Sequence, residues 1–293
     1  MLAMPRVCPA ALLCMLALGA LLTSCGSSKK PIIVGSKNQT EQMVLGEIIA
    51  QHLEHRLGRS VERRLGLGDT PVLYQALISG AVGIYPEYTG QIESGILKEQ
   101  ASPDPQIVLS RVRGQMDMMQ IEVLDLLGFD NPSAIAVRAQ DEQKIATLSD
   151  AAKVGKRWKL GISYEFQSRP DGLQALLSYR MPMDSPRILD QKQLFPALAK
   201  GEVDMIATRA TDGRLTRDFK ILADDLSVFP PYEACLLVRK DVLAAEPALR
   251  SALAELSGKI SADTIRKLNA EVDLNNRPAA TVAGEFLSQA GLK

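Results

Sequence analysis

Three phenols, two cations and a carboxylate are spaced in this chain so that they could act on one small molecule. Tyr85-Pro86-Glu87-Tyr88-Thr89-Gly90 carries two phenols and a carboxylate just past an expected strand. Phe229-Pro230-Pro231-Tyr232-Glu233 adds a third phenol, approached through two stiffening prolines. Aromatic faces beside a carboxylate suit a cation that has no N–H to donate, such as a quaternary ammonium. Glu165-Phe166-Gln167-Ser168-Arg169-Pro170-Asp171-Gly172 presents a guanidinium, which is expected at a helix start where backbone N–H groups also point outward; that pairing suits a carboxylate. Lys37, in Gly35-Ser36-Lys37, supplies a second positive charge. Together these groups would read a zwitterion with a methylated ammonium at one end and a carboxylate at the other.

Other chemistries find less support. His52 and His55 stand three residues apart on an expected helix and are the only two histidines. Zinc signatures need other spacings and a third ligand, so the pair is expected on a solvated face, with no metal. There is no Gly-rich phosphate loop, Cys-x-x-Cys pair or Gly-x-Ser-x-Gly elbow, and no histidine base is placed for a serine hydrolase. Neither an enzyme nor a cofactor is expected. The 34 basic and 34 acidic residues balance, which gives no reason to expect a nucleic acid partner. Of four cysteines, Cys8 and Cys14 fall in an N-terminal leader and Cys25 at its end. Cys235 is then alone, beside Ala234 and Leu236-Leu237, and reads as a buried thiol.

Strand-like and helix-like runs alternate along the body, the pattern of an α/β protein. The spacing predicts strands at Ile32–Val34, Val61–Leu67, Trp158–Leu160 and Val203–Ile206, and another beginning at Val82–Ile84. Helices are predicted over Glu41–Leu57, Val72–Ser79, Ile107–Met119, Leu173–Tyr179 and Gln193–Lys200, with a mostly helical C-terminal portion from Val242. A weak internal repeat sets Leu73–Val82 against Leu194–Val203 and, in register, Tyr88-Thr89 against Arg209-Ala210. Two lobes on one plan follow, with a cleft outside the carboxyl ends of their strands. Four loops would face it, at Gly35–Lys37, Tyr85–Gly90, Ser163–Arg169 and Thr208–Gly213.

The first 25 residues read as an export leader: Arg6, an apolar run from Val7 to Leu22, then Thr23-Ser24-Cys25. The run is about 16 residues, short of the roughly 20 that span a bilayer. Its end resembles a lipoprotein signal in which Cys25 receives the lipid. Residues 26–31, with Gly26-Ser27-Ser28-Lys29-Lys30, read as a flexible tether. The expected location is outside the cytoplasm, facing the periplasm or the extracellular space, on a lipid anchor.

Several segments in order resemble one family, the substrate-binding proteins of glycine betaine/carnitine/choline ABC importers. They are Gly35-Ser36-Lys37-Asn38-x-Thr40-Glu41-Gln42, Leu67-Gly68-x-Thr70, Tyr85–Gly90 and Glu165-Phe166-x-x-Arg169-Pro170-Asp171-Gly172. Thr211-Asp212-Gly213-Arg214, Phe229–Tyr232 and Leu268-Asn269 continue the match, which runs from about Ile32 to Leu292. The resemblance implies a two-lobed periplasmic-binding-protein fold with two crossings between lobes. Lobe one would comprise 31–131 plus 233–293, and lobe two 132–232. It implies capture of a betaine-like solute by lobe closure, and as partners a permease with its ATPase; the protein itself is expected to be a monomer. Lys37 and Arg169 match the family's carboxylate contacts, and Tyr88 and Tyr232 two of its ammonium-caging tyrosines. Ser133 and Arg209 stand where the family usually has aromatic residues. Tyr85, Asn131 and Thr211 complete the candidate contacts. Arg209 leaves open a different or more anionic solute, and a ligand sensor is the other alternative.

Overall fold

The apolar run before Gly35 forms strand β1 (Ile32–Gly35), and the helical spacing after it forms α1 (Thr40–Leu57). Gly58 closes that helix in the left-handed region, at φ 61°. A computed structural model describes residues 31–140 and 144–293, so the leader, Cys25 and the tether up to Lys30 lie outside the described residues. Next come β2 (Val61–Arg64), α2 (Thr70–Ile78) and β3 (Ile84–Tyr88), then short helical stretches at Thr89–Gln91 and Ile92–Ile96. After α3 (Pro105–Met118) and β4 (Ile121–Val123) the chain crosses to β5 (Ser133–Arg138), α4 (Leu148–Lys153) and β6 (Leu160–Ile162). There follow α5 (Tyr164–Ser168), α6 (Leu173–Leu176), β7 (Arg187–Ile188), α7 (Gln191–Ala199), β8 (Met205–Arg209) and β9 (Phe219–Leu222). A second crossing leads to β10 (Ala234–Arg239) and to α8 (Lys240–Ala245), α9 (Ala248–Ala254), α10 (Ala262–Asp273) and α11 (Ala279–Gln289).

Among the described residues the named strands form two five-stranded mixed sheets, ordered β2-β1-β3-β10-β4 and β7-β6-β8-β5-β9. They share one plan. In each, three parallel strands are followed by one antiparallel strand and a fifth antiparallel to that. The fourth strand of each sheet is the first one laid down after a crossing. Register between halves is close: aligning Leu73 with Leu194 carries α2 onto α7 and β3 onto β8, end to end. Tyr88 and Arg209 therefore hold equivalent posts, each the last residue of its sheet's third strand.

Separate apolar clusters cover the faces of each sheet. Val44, Leu45, Ile48, Ile49 and Leu53 of α1 pack on the first with Ile84, Leu236 and Leu287. Its other face is covered by Leu73, Leu77, Val108 and Val112. Ile135, Trp158, Leu160 and Met205 centre the second sheet's larger cluster, and Leu194, Phe195 and Leu198 cover its other side. Cys235 is buried and free.

Several expectations need correcting. The segment from Tyr85 to Tyr88 lies inside β3, not in a loop beyond it, because β10 pairs with it throughout, Leu237 opposite Tyr85 and Ala234 opposite Tyr88. That partner comes from beyond the second crossing, so no local pattern announces it. Likewise β6 begins at Leu160, with Trp158 in an isolated bridge to Met183, and β2 stops at Arg64. The predicted helix over Leu173–Tyr179 is a single α-turn followed by a 3-10 turn. His52 is not on a solvated face: it is fully buried, Nδ1 against the Leu292 carbonyl and Nε2 against that of Ala252, each at 2.8 Å. Helices α9 and α11 pack against α1 there and shut out the water that the isolated helix would meet.

Candidate ligand-binding cleft

Tyr88, closing β3, and Tyr232, just before β10, bring their rings to 6.5 Å between centroids with planes tilted by 44°. Gly90 makes room for the second ring. A Cβ there would stand 2.4 Å from the Pro231 carbonyl oxygen and 2.9 Å from the Tyr232 ring, so any side chain would push the segments apart. The Tyr88 hydroxyl donates to the Glu41 carboxylate. That of Tyr232 accepts from Arg169 Nη2 at 2.6 Å and donates to Asp171 Oδ2 at 2.6 Å. Burial raises both phenols: Tyr88 well above its ordinary range, with the Glu41 charge adding, and Tyr232 to about 12, with the Arg169 charge opposing. Both remain neutral hydrogen-bonding rings at physiological pH. Tyr85 turns the other way. Its alternation within β3 sends it into the cluster around Leu73 and Val112, fully buried, which removes it from the candidate contacts.

Each predicted carboxylate reader already has an anion. Lys37 Nζ donates to Thr70 Oγ1 at 3.2 Å and to Glu87, and lies 5.0 Å from the Tyr88 ring centre. Arg169 binds Asp171 in a two-pronged pair, through Nε at 2.9 Å and through Nη2, and reaches Glu165 at 3.3 Å. Burial pushes the Asp171 carboxyl up, yet the bonds and charge of Arg169 outweigh it and hold Asp171 below its usual range. The expected helix start beneath Arg169 is absent: Arg169 follows the last residue of α5, and its own N–H bonds back to the Glu165 carbonyl. Its guanidinium acts as a side chain alone.

Arg209 lies over the Tyr232 ring, guanidinium carbon 4.8 Å from the centroid. Glu165 meets its charge at 3.9 Å and the Asn131 carbonyl is 3.5 Å away. Glu87 is held by Lys37 and Asp212 by Arg214, so neither neutralises Arg209. Ser133 is buried opposite Arg209 in the β5–β8 ladder. The faces of both phenols are thus approached by cations of the protein itself.

Two residues of the Thr40-Glu41-Gln42 run join the site beyond the contacts that the sequence predicts. Glu41 is buried and accepts four hydrogen bonds, from Tyr88, Asn131 (3.0 Å), Thr211 and Asn269 (2.8 Å). Burial raises its carboxyl above the ordinary value, against the pull of those four donors. Gln42 is buried beside the Tyr88 hydroxyl, and neither its amide oxygen nor its nitrogen has a partner of hydrogen-bonding geometry. A buried amide whose only polar neighbour of note is the Tyr88 hydroxyl is costly to keep. The signal for both was their place four and five residues past Lys37, at the start of α1.

The crossing segments run side by side beneath the phenols. Asn131 N–H donates to the Tyr232 carbonyl at 3.1 Å, and Tyr232 N–H to Asp130 Oδ1 at 2.6 Å. Asn131 and Thr211 both donate to Glu41, and Thr211 N–H donates to Asn131 Oδ1, while Ser133 opens β5. A hollow of about 710 Å³ at the β4 edge, lined by Arg113, Glu122 and Arg250, is a separate feature; Arg113 and Arg250 are there paired with Asp125 and Glu122.

With this geometry in hand, comparison places the chain among known proteins. The family described as the substrate binding domain of ABC-type glycine betaine transport systems matches residues 30–289. The carnitine transport binding protein OpuCC of Listeria monocytogenes is 33% identical over 272 residues, covering 90% of this chain and 88% of that protein. The ergothioneine transport permease/ergothioneine binding protein EgtU of Helicobacter pylori is 30% identical, covering 90% of this chain and 48% of that longer protein. A crystal structure of a glycine betaine/carnitine/choline ABC transporter protein superposes with a TM-score of 0.82 at 28% identity, covering 89% of this chain and 99% of the other. Sheets, crossings and sequence agree: this chain belongs to the family of substrate-binding domains of ABC-type glycine betaine transport systems.

Proposed function

We propose that this protein captures a small zwitterionic quaternary-ammonium solute, of the betaine class, and delivers it to a permease driven by an ATPase. The solute sits between lobe one (31–131 plus 233–293) and lobe two (132–232), and the lobes close on it about the two crossings. Tyr88 and Tyr232 offer their faces to the methylated ammonium, while Lys37 and Arg169 hold the carboxylate. Gln42, Asn131, Ser133, Thr211 and Arg209 line the remainder. Export and a lipid on Cys25 keep the protein at the outer side of a membrane, as a monomer.

The observation that carries this reading is the tilted pair of phenols with a cation beside each hydroxyl or ring. Carnitine and ergothioneine, which name two relatives, share a trimethylammonium and a carboxylate, the two groups these side chains suit. A thermal-shift screen tests the proposal, with glycine betaine, choline, carnitine, proline betaine and ergothioneine set beside ordinary amino acids and dicarboxylates. A ligand at about 100 times its dissociation constant adds about 2.7 kcal/mol. In a protein of this size that moves the midpoint by several degrees. Shifts are expected with compounds bearing both a quaternary ammonium and a carboxylate. Shifts confined to dicarboxylates or ordinary amino acids would overturn the reading.

A further inference from the structure

Glu41 is the most heavily bonded buried acid near the cleft, and the capture scheme gives it no part. Its Oε1 takes the Tyr88 hydroxyl and the Asn131 amide, its Oε2 the Thr211 hydroxyl and the Asn269 amide. A carboxylate has about four acceptor positions, so all are filled. The donors come from different parts of the chain: Tyr88 from the end of β3, Asn131 from the first crossing, Thr211 from the loop after β8, Asn269 from α10. The same loop is held a second time. Asn269 Nδ2 donates to the Thr211 carbonyl at 2.9 Å, Arg266 Nη2 to the Ala210 carbonyl at 3.0 Å, and a Cβ on Gly213 would stand 2.4 Å from the Ala270 nitrogen. A buried carboxyl is costly to keep unless each lone pair is met, and an acid meeting only donors cannot be replaced by a group that donates.

We propose that Glu41 is a positioning residue: one buried carboxyl fixes the Tyr88 phenol, the first crossing and the Thr211 loop together, so cage geometry and lobe placement are set at one point. Asn131 reinforces the arrangement, since its Oδ1 also accepts from the Thr211 N–H at 3.2 Å. The proposal rests on the reading of Tyr88 as a ligand contact. Its structural half, that Glu41 ties the second sheet's loop to the first sheet's helix, stands apart from the identity of the solute.

The test uses the whole protein as wild type, Glu41→Gln, Thr211→Val and the double variant. Two readouts are taken: the dissociation constant for glycine betaine by calorimetry, and the radius of gyration of the ligand-free protein by small-angle scattering. Glu41→Gln is expected to weaken binding by about tenfold or more and to enlarge the free protein. The double variant should be no larger in ligand-free radius than Glu41→Gln alone, because both cut the same link. A radius that grows further in the double variant, or an unchanged dissociation constant and radius with only a lower melting temperature in Glu41→Gln, would overturn it. Should Glu41→Gln not fold, the ligand-free radius of Thr211→Val decides alone: a larger radius supports the proposal, and an unchanged radius refutes it. If the wild type binds no quaternary ammonium, the ligand reading fails, while the radius comparison still decides the role of Glu41.

Discussion

Arg209 and Tyr88 occupy matching ends of β8 and β3, yet one brings a cation where the other brings a π-face. A cation–π contact contributes about 0.5–2 kcal/mol. Arg209→Tyr, by freeing the Tyr232 face and adding a ring, should therefore tighten glycine betaine by about 2- to 30-fold in calorimetry. Unchanged affinity would mean that Arg209 leaves the face when solute enters. Asp171 makes a different prediction. Its carboxyl is held below its ordinary value of 3.8, so its contribution to stability is complete above that value and is lost as pH falls through the lowered one. Asp171→Asn should melt below wild type at neutral pH, and the gap should close progressively in melts taken below about pH 3.8. A constant gap would show that packing, not charge, sets the cost. The types at these positions were readable in the sequence, down to the odd arginine. That Arg169 and Lys37 already hold Asp171 and Glu87 was not, because pairing depends on where each side chain turns.

Gly90 sits where two segments meet, β3 with its continuation and the approach to β10. Gly90→Ala should weaken solute binding by about tenfold, since a displaced Tyr232 loses its distance to Tyr88, while far-ultraviolet circular dichroism stays as in wild type. Binding within twofold would show that the crossing yields locally. The longer helices and the first strands were legible because each buries one face, and that leaves a period in the sequence. β10 and β5 were not. At six residues each they are the longest of the named strands, but they pair with neighbours far away in the chain, and that pairing defines them. For the same reason Tyr85 was misplaced: once β10 extends the segment, alternation sends residues 85 and 88 to opposite faces.

Closure of the molecule requires that the lobes keep their own cores while the links between them bend. The crossings run side by side, with Asn131 N–H donating to the Tyr232 carbonyl and Asp130 accepting from the Tyr232 N–H. Asp130→Ala leaves that donor without its partner, at a cost of about 1–3 kcal/mol. It should weaken solute binding with little change in hydrogen exchange of the sheet cores, because the half-buried Asp130 side chain bonds to the crossing and not to a strand of either sheet. Loss of protection deep in β1 or β8 would instead make the crossing part of the core.

By itself the sequence determined where the longer helices and the first strands form, since period and turn chemistry are local, and which chemistry is available, since residue type is independent of folding. It also determined that two halves share one plan, because the repeat is carried in register by α2–β3 and α7–β8. Only the tertiary structure decided that Glu41 meets Thr211 and Asn269, partners separated from it by 170 and 228 residues. Likewise it alone buried His52 between two carbonyls and laid Arg209 over Tyr232. Hydrogen bonds and ring contacts act over a few ångströms in space, and distance along the chain does not enter them.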